Sequence, residues 1–186
     1  MRVISGIARG SKIETIDSLK TRPTLDRVKE ALFNILQNDI KDSIVLDLFA
    51  GSGALGIESL SRGAKKVYFC DNNIDAIKVI KRNLEKTRLI DNAEVFFGDY
   101  TKLLNKIKEK IDIIFIDPPY KSDLGVKALK ELINKELINE NSIIVIETDE
   151  IDRDIKELND VRGVTIIDER KYGRANLIFV KKRGNI

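Results

Sequence analysis

A doubly wound α/β fold on a mostly parallel, seven-stranded sheet is what this 186-residue sequence predicts. Three observations carry that reading. Short apolar runs alternate with stretches of helical period, which is the pattern of βα units. The runs are continuous in Ile, Val and Leu rather than alternating with polar residues, as in strands buried on both faces. A glycine-rich loop, Gly51-Ser52-Gly53-Ala54-Leu55-Gly56, joins the first such run to a helix, the place where open α/β sheets bind ligands.

In chain order, residues 2–17 hold two β-like runs, Val3-Ile4 and 12–16, around Gly6 and Gly10, and predict a small hairpin. Leu25, Val28, Leu32, Ile35 and Leu36 recur at helical spacing behind Pro23, predicting a helix over 24–37. Strands are then expected at 43–48, 66–70, 94–97, 111–116 and 143–147. Helices are expected at 54–61, 74–88, 101–108, 126–134 and 152–159. The last two runs, 164–168 and 176–180, are separated by too few residues for a crossover helix and predict an antiparallel hairpin, an antiparallel C-terminal edge to the sheet. No linker or internal repeat interrupts the chain. We therefore expect one domain over 1–186, with 1–42 a hairpin-helix extension and 43–186 the catalytic core.

Composition narrows the chemistry. Hydrophobic residues make up 42% and charged residues 34%, a globular mixture. There is no histidine, and Cys70 is the one cysteine. That excludes a Ser-His-Asp or Cys-His nucleophile, a structural zinc site and an internal disulfide; no metal is expected. Catalysis must use carboxylates, Lys, Tyr, backbone groups or a cofactor. Arg2, Arg9 and Lys12 stand without an acid in 1–13, and Arg170, Lys171, Arg174, Lys181, Lys182 and Arg183 without one in 170–186, whereas the body between is acidic. Basic ends on an acidic body suit a polyanionic partner, or simply solubility. The start lacks a secretory apolar region and no run approaches the roughly 18 apolar residues of a membrane span, so a cytoplasmic protein is expected.

The glycine loop fits a nucleoside cofactor. Gly51, Gly53 and Gly56 let the backbone turn sharply and approach a ligand closely. Asp71 ends the next strand, where an acid can accept from ribose hydroxyls. To that point NAD and S-adenosylmethionine are both candidates. Asp47, just before the loop, favours the second: beside a pyrophosphate it would repel, beside ammonium and sulfonium charges it would attract. Asp99 ends the third strand and could accept from an adenine amine. Phe49, Ser52, Asn72 and Tyr100 complete the expected cofactor set. Asp47 and Asp99 could instead serve only as helix caps or turn residues.

The fourth strand runs into Asp117-Pro118-Pro119-Tyr120. The prolines fix φ and remove two donors, leaving carbonyls free to accept. Asp117 and the Pro118 carbonyl can then both accept from one exocyclic NH₂, aim its lone pair at a methyl donor and stabilise the charge that develops on nitrogen. Tyr120 offers a ring on which an extruded base can stack.

With these residues in view, the chain resembles the S-adenosylmethionine-dependent amino-methyltransferases that carry an (Asn/Asp/Ser)-Pro-Pro-(Tyr/Phe/Trp) motif. It is similar, more specifically, to the bacterial single-domain small-subunit (16S) rRNA guanine-N2 methyltransferases. Arg22-Pro23-Thr24, Asp26-Arg27-Val28, Leu32-Phe33-Asn34, Asp47 to Glu58, Ser61-Arg62-Gly63-Ala64, Asp99 and Asp117 to Tyr120 carry that resemblance. Asp71, Asn73 and Lys29 depart from it, standing where the family often has Glu, an acid and Arg. The resemblance implies a Rossmann-like class I methyltransferase fold and methylation of a guanine N2 amine in 16S rRNA, within a small-subunit particle, by a monomer.

Sequence-selective DNA methyltransferases usually carry a recognition domain, and here only about 42 residues precede the core. A partner with its own defined shape, such as folded rRNA, asks less of the protein. Arg22, Thr24 and Arg27 near the start, and Arg170, Lys171 and Arg174 at the last hairpin, are the candidate RNA contacts. A DNA adenine-N6 methyltransferase, a non-catalytic RNA-binding assembly factor and an NAD-dependent oxidoreductase are the competing readings. The short extension, the intact motifs and the placement of Asp47 argue against them in turn.

Overall fold

The computed structural model describes residues 1–16, 23–173 and 175–184, with side chains of the first helix described from Asp26 onward. Strands β1 (Ile44–Leu48), β2 (Lys66–Asp71), β3 (Ala93–Phe97), β4 (Ile113–Ile116), β5 (Ile143–Thr148), β6 (Val164–Tyr172) and β7 (Ala175–Lys182) form one sheet in the order β3-β2-β1-β4-β5-β7-β6. The helices are α1 (Pro23–Ile35), α2 (Ala54–Ser61), α3 (Ile74–Thr87), α4 (Tyr100–Leu104), α5 (Leu124–Asn134) and α6 (Ile151–Asn159). β1 to β5 are mutually parallel, and β7 runs antiparallel to both β5 and β6. The chain steps outward through β2 and β3, then returns to add β4 on the other side of β1. A crevice therefore opens between the carboxyl ends of β1 and β4.

Alternation along the strands feeds two apolar layers. Val45, Phe115 and Val145 join one with Val28, Leu32 and Phe33 of α1 and Ile57 of α2. Leu46, Ile114 and Ile144 join the other with Leu104 of α4, Leu129 of α5 and Leu158 of α6. The α/β, doubly wound, mostly parallel, seven-stranded expectation is met. The last hairpin forms the sheet edge as expected. Within it the antiparallel strand is β7, one in from the edge, and β6 is outermost and parallel to the main sheet. Both strands run longer than their apolar runs, because Glu169, Arg170 and Lys171 occupy an exposed edge where charge is tolerated and discourages further pairing.

Two local expectations are corrected. Residues 1–16 pair over a shorter stretch than expected: one antiparallel bridge, Arg2 with Lys12, flanked by Val3 N donating to Ser11 O, Ile13 N to Met1 O and Gly10 N to Val3 O, closes a hairpin-like loop without forming two regular strands. Gly6 is the reason on one side: a Cβ there would lie 1.7 Å from the Ser61 carbonyl oxygen, at φ +82, and Ile7 N donates to that oxygen at 2.8 Å. Asn83 is the reason on the other: its side chain takes both the N–H and the C=O of Glu14, at 2.8 and 3.0 Å, and draws the chain out of pairing. The second correction is α4, which stops at Leu104 instead of continuing to residue 108. Ile107 keeps a helical interval from Leu103 and is buried, but in an irregular turn.

Candidate active site

The glycine loop is held open by the residues around it. Phe49 (φ 60), Gly51 (φ 56) and Gly53 (φ 77) adopt left-handed backbone, and Gly53 caps α2. The three loop glycines do different work. A Cβ on Gly51 would meet nothing within 4 Å, so that face of the loop is open. A Cβ on Gly56 would lie 2.2 Å from the Phe69 ring, so this glycine sets the approach of α2 to β2. Gly53 stands between, about as close to Ile80 and Phe69 as packing permits. Asp71 Oδ2 accepts from Gly51 N at 2.8 Å, and its Oδ1 accepts from Asn73 N at 2.8 Å. Asn83 Nδ2 donates to the Ser52 carbonyl at 3.0 Å.

Below the loop lies a row of carboxyls. Asp47 Oδ2 accepts from Gly56 N, in the first turn of α2, at 2.9 Å. Asp47 is buried, and burial pushes its carboxyl up to about 8 despite that hydrogen bond. Val45, Phe115 and Val145 share one face of the sheet, so Asp47, Asp117 and Glu147, two residues further along, project from that same face. Ile116 pairs with Ile146, which sets Asp117 and Glu147 side by side on adjacent strand ends. Asp117 as a residue is open to solvent, but protein crowds its carboxyl in the cleft. Loss of water there, then the charges of Glu147 and Asp47, hold it well above the ordinary carboxyl range. Partial burial raises Glu147 as well.

These groups line a cleft of about 200 Å³ together with Phe49, Gly51, Ser52 and Lys29. Lys29 is buried, and burial pulls its ammonium down while Glu58 opposes the shift. Its Nζ donates to the Arg2 carbonyl at 2.6 Å and lies 3.3 Å from Glu58. Glu58, itself buried, also accepts from Ile4 N, Ser5 N and Arg62 Nε at 2.8, 3.0 and 2.8 Å. This network fastens the N-terminal segment to the wall of the cleft and leaves Lys29 committed to Glu58 rather than to the carboxyl row.

The remaining expected residues are placed as follows. Gly53, Asp71, Asn72, Asp99 and Tyr100 sit at the loop and at the ends of β2 and β3, outside the cleft wall. Asp99 is the N-cap of α4: its Oδ1 accepts from Thr101 N at 2.8 Å and from the Thr101 hydroxyl. The Tyr100 ring meets Phe49 edge-on at 5.5 Å. Pro118 and Pro119 lead to Tyr120, which is 78% exposed and lies beyond the cleft lining. Arg27 is exposed on α1. Arg170 pairs with Leu177, which pairs with Glu147, so Arg170 shares the cleft face two strands away from Glu147. The pleat turns Lys171 to the other face. Arg22, the side chain of Thr24, and Arg174 lie outside the described residues. Among the described residues, no cluster of His, Cys, Asp and Glu has the arrangement of a metal site.

Comparison with known proteins converges on one family. The model of the family described as "Conserved hypothetical protein 95" matches residues 1–181. The chain belongs to this family. The Bacillus subtilis protein YlbH is 37% identical over 99% of this chain and 100% of its own. The ribosomal RNA small subunit methyltransferase D of Haemophilus influenzae is 38% identical over 80% of this chain and 79% of its own. The solved structure of yhhF from Escherichia coli superposes with a TM-score of 0.84 at 28% identity, covering 100% of this chain and 99% of that one.

Sequence reasoning passed over Glu147 and Asn83, and met Glu58 only as the end of a motif, without its role in holding the N-terminal segment. Glu147 had a legible signal, since an acid ends a buried strand next to the one that ends in Asp117. Asn83 and Glu58 had none, because each acts on a segment distant in the chain.

Proposed function

We propose that this protein transfers a methyl group from S-adenosylmethionine to the exocyclic N2 amine of a guanine in small-subunit rRNA. Family membership makes it an rRNA methyltransferase, as its curated relatives of that name are. The observation that carries transfer to an exocyclic amine is Asp117, the head of the Asp117–Tyr120 turn, in one cleft with the glycine loop on adjacent strand ends; the resemblance supplies guanine as the base.

The residues present suit the cofactor. It is a cation at its sulfonium and ammonium, and the cleft offers Asp47, Asp117 and Glu147, while the one lysine among the described lining residues is held by Glu58. The open side of Gly51 leaves room for close backbone approach. Asp47, Phe49, Gly51, Ser52 and Gly53 would hold the methionine end, with Asp71 and Asn72 toward the ribose hydroxyls and Asp99 and Tyr100 toward the adenine. When bound, S-adenosylmethionine supplies an electrophilic methyl on a sulfur that departs as a neutral thioether. Asp117 and the Pro118 carbonyl accept from the two N2–H groups and turn the nitrogen lone pair toward that methyl, and the new N–C bond forms from this lone pair. Asp117, held above the usual carboxylate range, is a suitable acceptor for the proton the amine then releases. Tyr120 stacks on the base and shields the site from water. The basic N-terminal segment with Arg27, residues 1–42 as an RNA-contact extension of one catalytic domain, and Arg170 on the cleft face of the last hairpin engage phosphates, with Lys171 adding positive charge from the opposite face. A monomer working in the cytoplasm on an assembling or finished small subunit completes the reading. Among the described residues no helix is long and apolar enough to cross a membrane.

The test is labelled methyl transfer to small subunits lacking the modification, with unmethylated DNA in parallel and the product nucleoside identified by mass spectrometry. N2-methylguanine in rRNA is expected. N6-methyladenine in DNA, or a different methylated nucleoside in rRNA, sinks the reading.

A further inference from the structure

Glu147 has no structural employment. It ends β5, a strand otherwise of buried Ile and Val, and it is itself half-buried. Among the described residues no side chain or backbone N–H donates to its carboxyl. Placing a carboxyl there costs folding free energy that no protein contact returns. Unexplained expense of that kind is most often met at functional sites. Its position is specific. Ile116 and Ile146 are register partners, so Glu147 stands level with Asp117, on the same face, one strand away. Adjacent strands are about 4.8 Å apart. Both carboxyls line the same cleft, and Glu147 is the foremost charge acting on Asp117.

Asp117 accounts for an amine but does not choose a base, because guanine, adenine and cytosine all carry one. They differ at the ring nitrogen beside it. Guanine presents N1–H, a donor, next to its N2 amine, whereas adenine N1 and cytosine N3 present bare acceptors next to theirs. A carboxylate next to the amine-binding carboxyl accepts from the first and meets an opposing lone pair in the other two. We infer that Glu147 is the base-selecting residue of this site, accepting from guanine N1–H while Asp117 holds the N2 amine. The inference rests on the guanine-N2 reading above and supplies what the Asp117–Tyr120 turn lacks, a reason for guanine. Glu suits the position better than Asp because the extra methylene extends the carboxyl from the neighbouring strand toward the base edge that Asp117 holds.

The experiment uses small subunits reconstituted on rRNA that carries either guanine or 2-aminopurine at the methylated nucleotide. 2-Aminopurine keeps the amine and replaces N1–H with a bare acceptor. Wild-type protein is expected to prefer guanine in kcat/KM by roughly 10³-fold, as sites built to accept from a particular N–H reject analogues lacking it. Glu147→Gln retains the shape, and its amide can donate to a bare N1. The preference should therefore shrink by roughly thirtyfold or more, with 2-aminopurine methylated faster than by wild type in absolute terms. Glu147→Ala should lose guanine activity without that gain. Both variants should unfold at or above the wild-type temperature, since the half-buried carboxyl is a cost, and should bind S-adenosylmethionine within a fewfold of wild type, which separates base selection from a folding defect or a dominant cofactor role. A preference unchanged within threefold in Glu147→Gln, or equal loss on both bases, overturns the inference while leaving N2-methylguanine as the wild-type product. A wild-type product other than N2-methylguanine overturns both readings together.

Discussion

The ends of β2 and β3 and the ends of β4 and β5 each present two acids to the same edge of the sheet, and they use them in opposite ways. Asp71 and Asp99 are occupied: one fixes Gly51 and Asn73, the other caps α4. Asp117 and Glu147 accept from no described protein group, and both are held above the ordinary carboxyl range. An acid whose lone pairs already serve the backbone shapes a site, and one left without donors is available to a ligand. Asp47 stands between the two kinds, with one oxygen on Gly56 N and a place in the cleft wall.

That contrast is sharpened most by Asp117→Ala. Its acceptor acts on the developing charge, so transfer should fall by roughly 10³-fold or more, in line with removal of one oriented group from a charge-stabilising site. S-adenosylmethionine binding, measured by calorimetry, should stay within a fewfold of wild type. Near-normal turnover would place the chemistry elsewhere in the cleft.

Asp71→Ala and Asp99→Ala test the occupied pair. Removing Asp71 leaves Gly51 N–H without its carboxylate and loosens the loop, which should weaken cofactor binding by about tenfold to a hundredfold, or 1.4–2.7 kcal/mol. Asp99→Ala should remove a helix cap worth about 1 kcal/mol and weaken the cofactor less. The reverse ranking in a titration would make Asp99, not Asp71, the organising acid of that edge.

Asp47, the intermediate case, is read by pH. Its carboxyl moves from an ordinary value of 3.8 to about 8 in the fold. The folded protein therefore binds a proton that the unfolded chain has released across this window. The stability associated with the raised value is fully present below the unfolded pKa and is lost as pH rises from about 4 toward 8, by at most about 1.4 kcal/mol per pH unit. Asp117 and Glu147 act with the same sign. A cationic cofactor needs the ionised forms, so its affinity should rise over the same window in which unliganded stability falls. Asp47→Asn should flatten both slopes. Equal slopes in wild type and variant would remove Asp47 from the account.

How much of this was legible beforehand follows from the range over which each feature is encoded. The strands β1, β4 and β5 announce themselves through unbroken apolar runs, and the glycine loop and Asp117–Tyr120 are contiguous, so sequence places them within a residue or two. Asp117 beside Glu147 is a product of strand register, which no local pattern states. The N-terminal segment was misjudged because its geometry is set by Ser61, Glu58 and Asn83, far away in the chain. α4 was overextended because Ile107 is buried at a helical interval without being helical. Asp99 could be read from sequence as a ligand or as a cap, and the fold shows the capping bond directly.

The smallest expected effect concerns Arg170, which sits on the cleft face two strands beyond Glu147 and pairs with Asp168 at 2.8 Å. Arg170 is half exposed and Asp168 about a third, so the pair is solvent-screened and breaking it should change stability by less than about 0.5 kcal/mol. If Arg170 instead serves a phosphate, Arg170→Ala should raise KM for small subunits severalfold, leave kcat in place, and reduce the salt slope of binding by about one. Lys171→Ala is the internal control, because the pleat sends that side chain to the opposite face. A phosphate path along the cleft face predicts a larger effect at Arg170 than at Lys171. Equal effects would mean that the hairpin contributes diffuse charge rather than a contact, and Arg170 would then not guide RNA toward the open acids of β4 and β5.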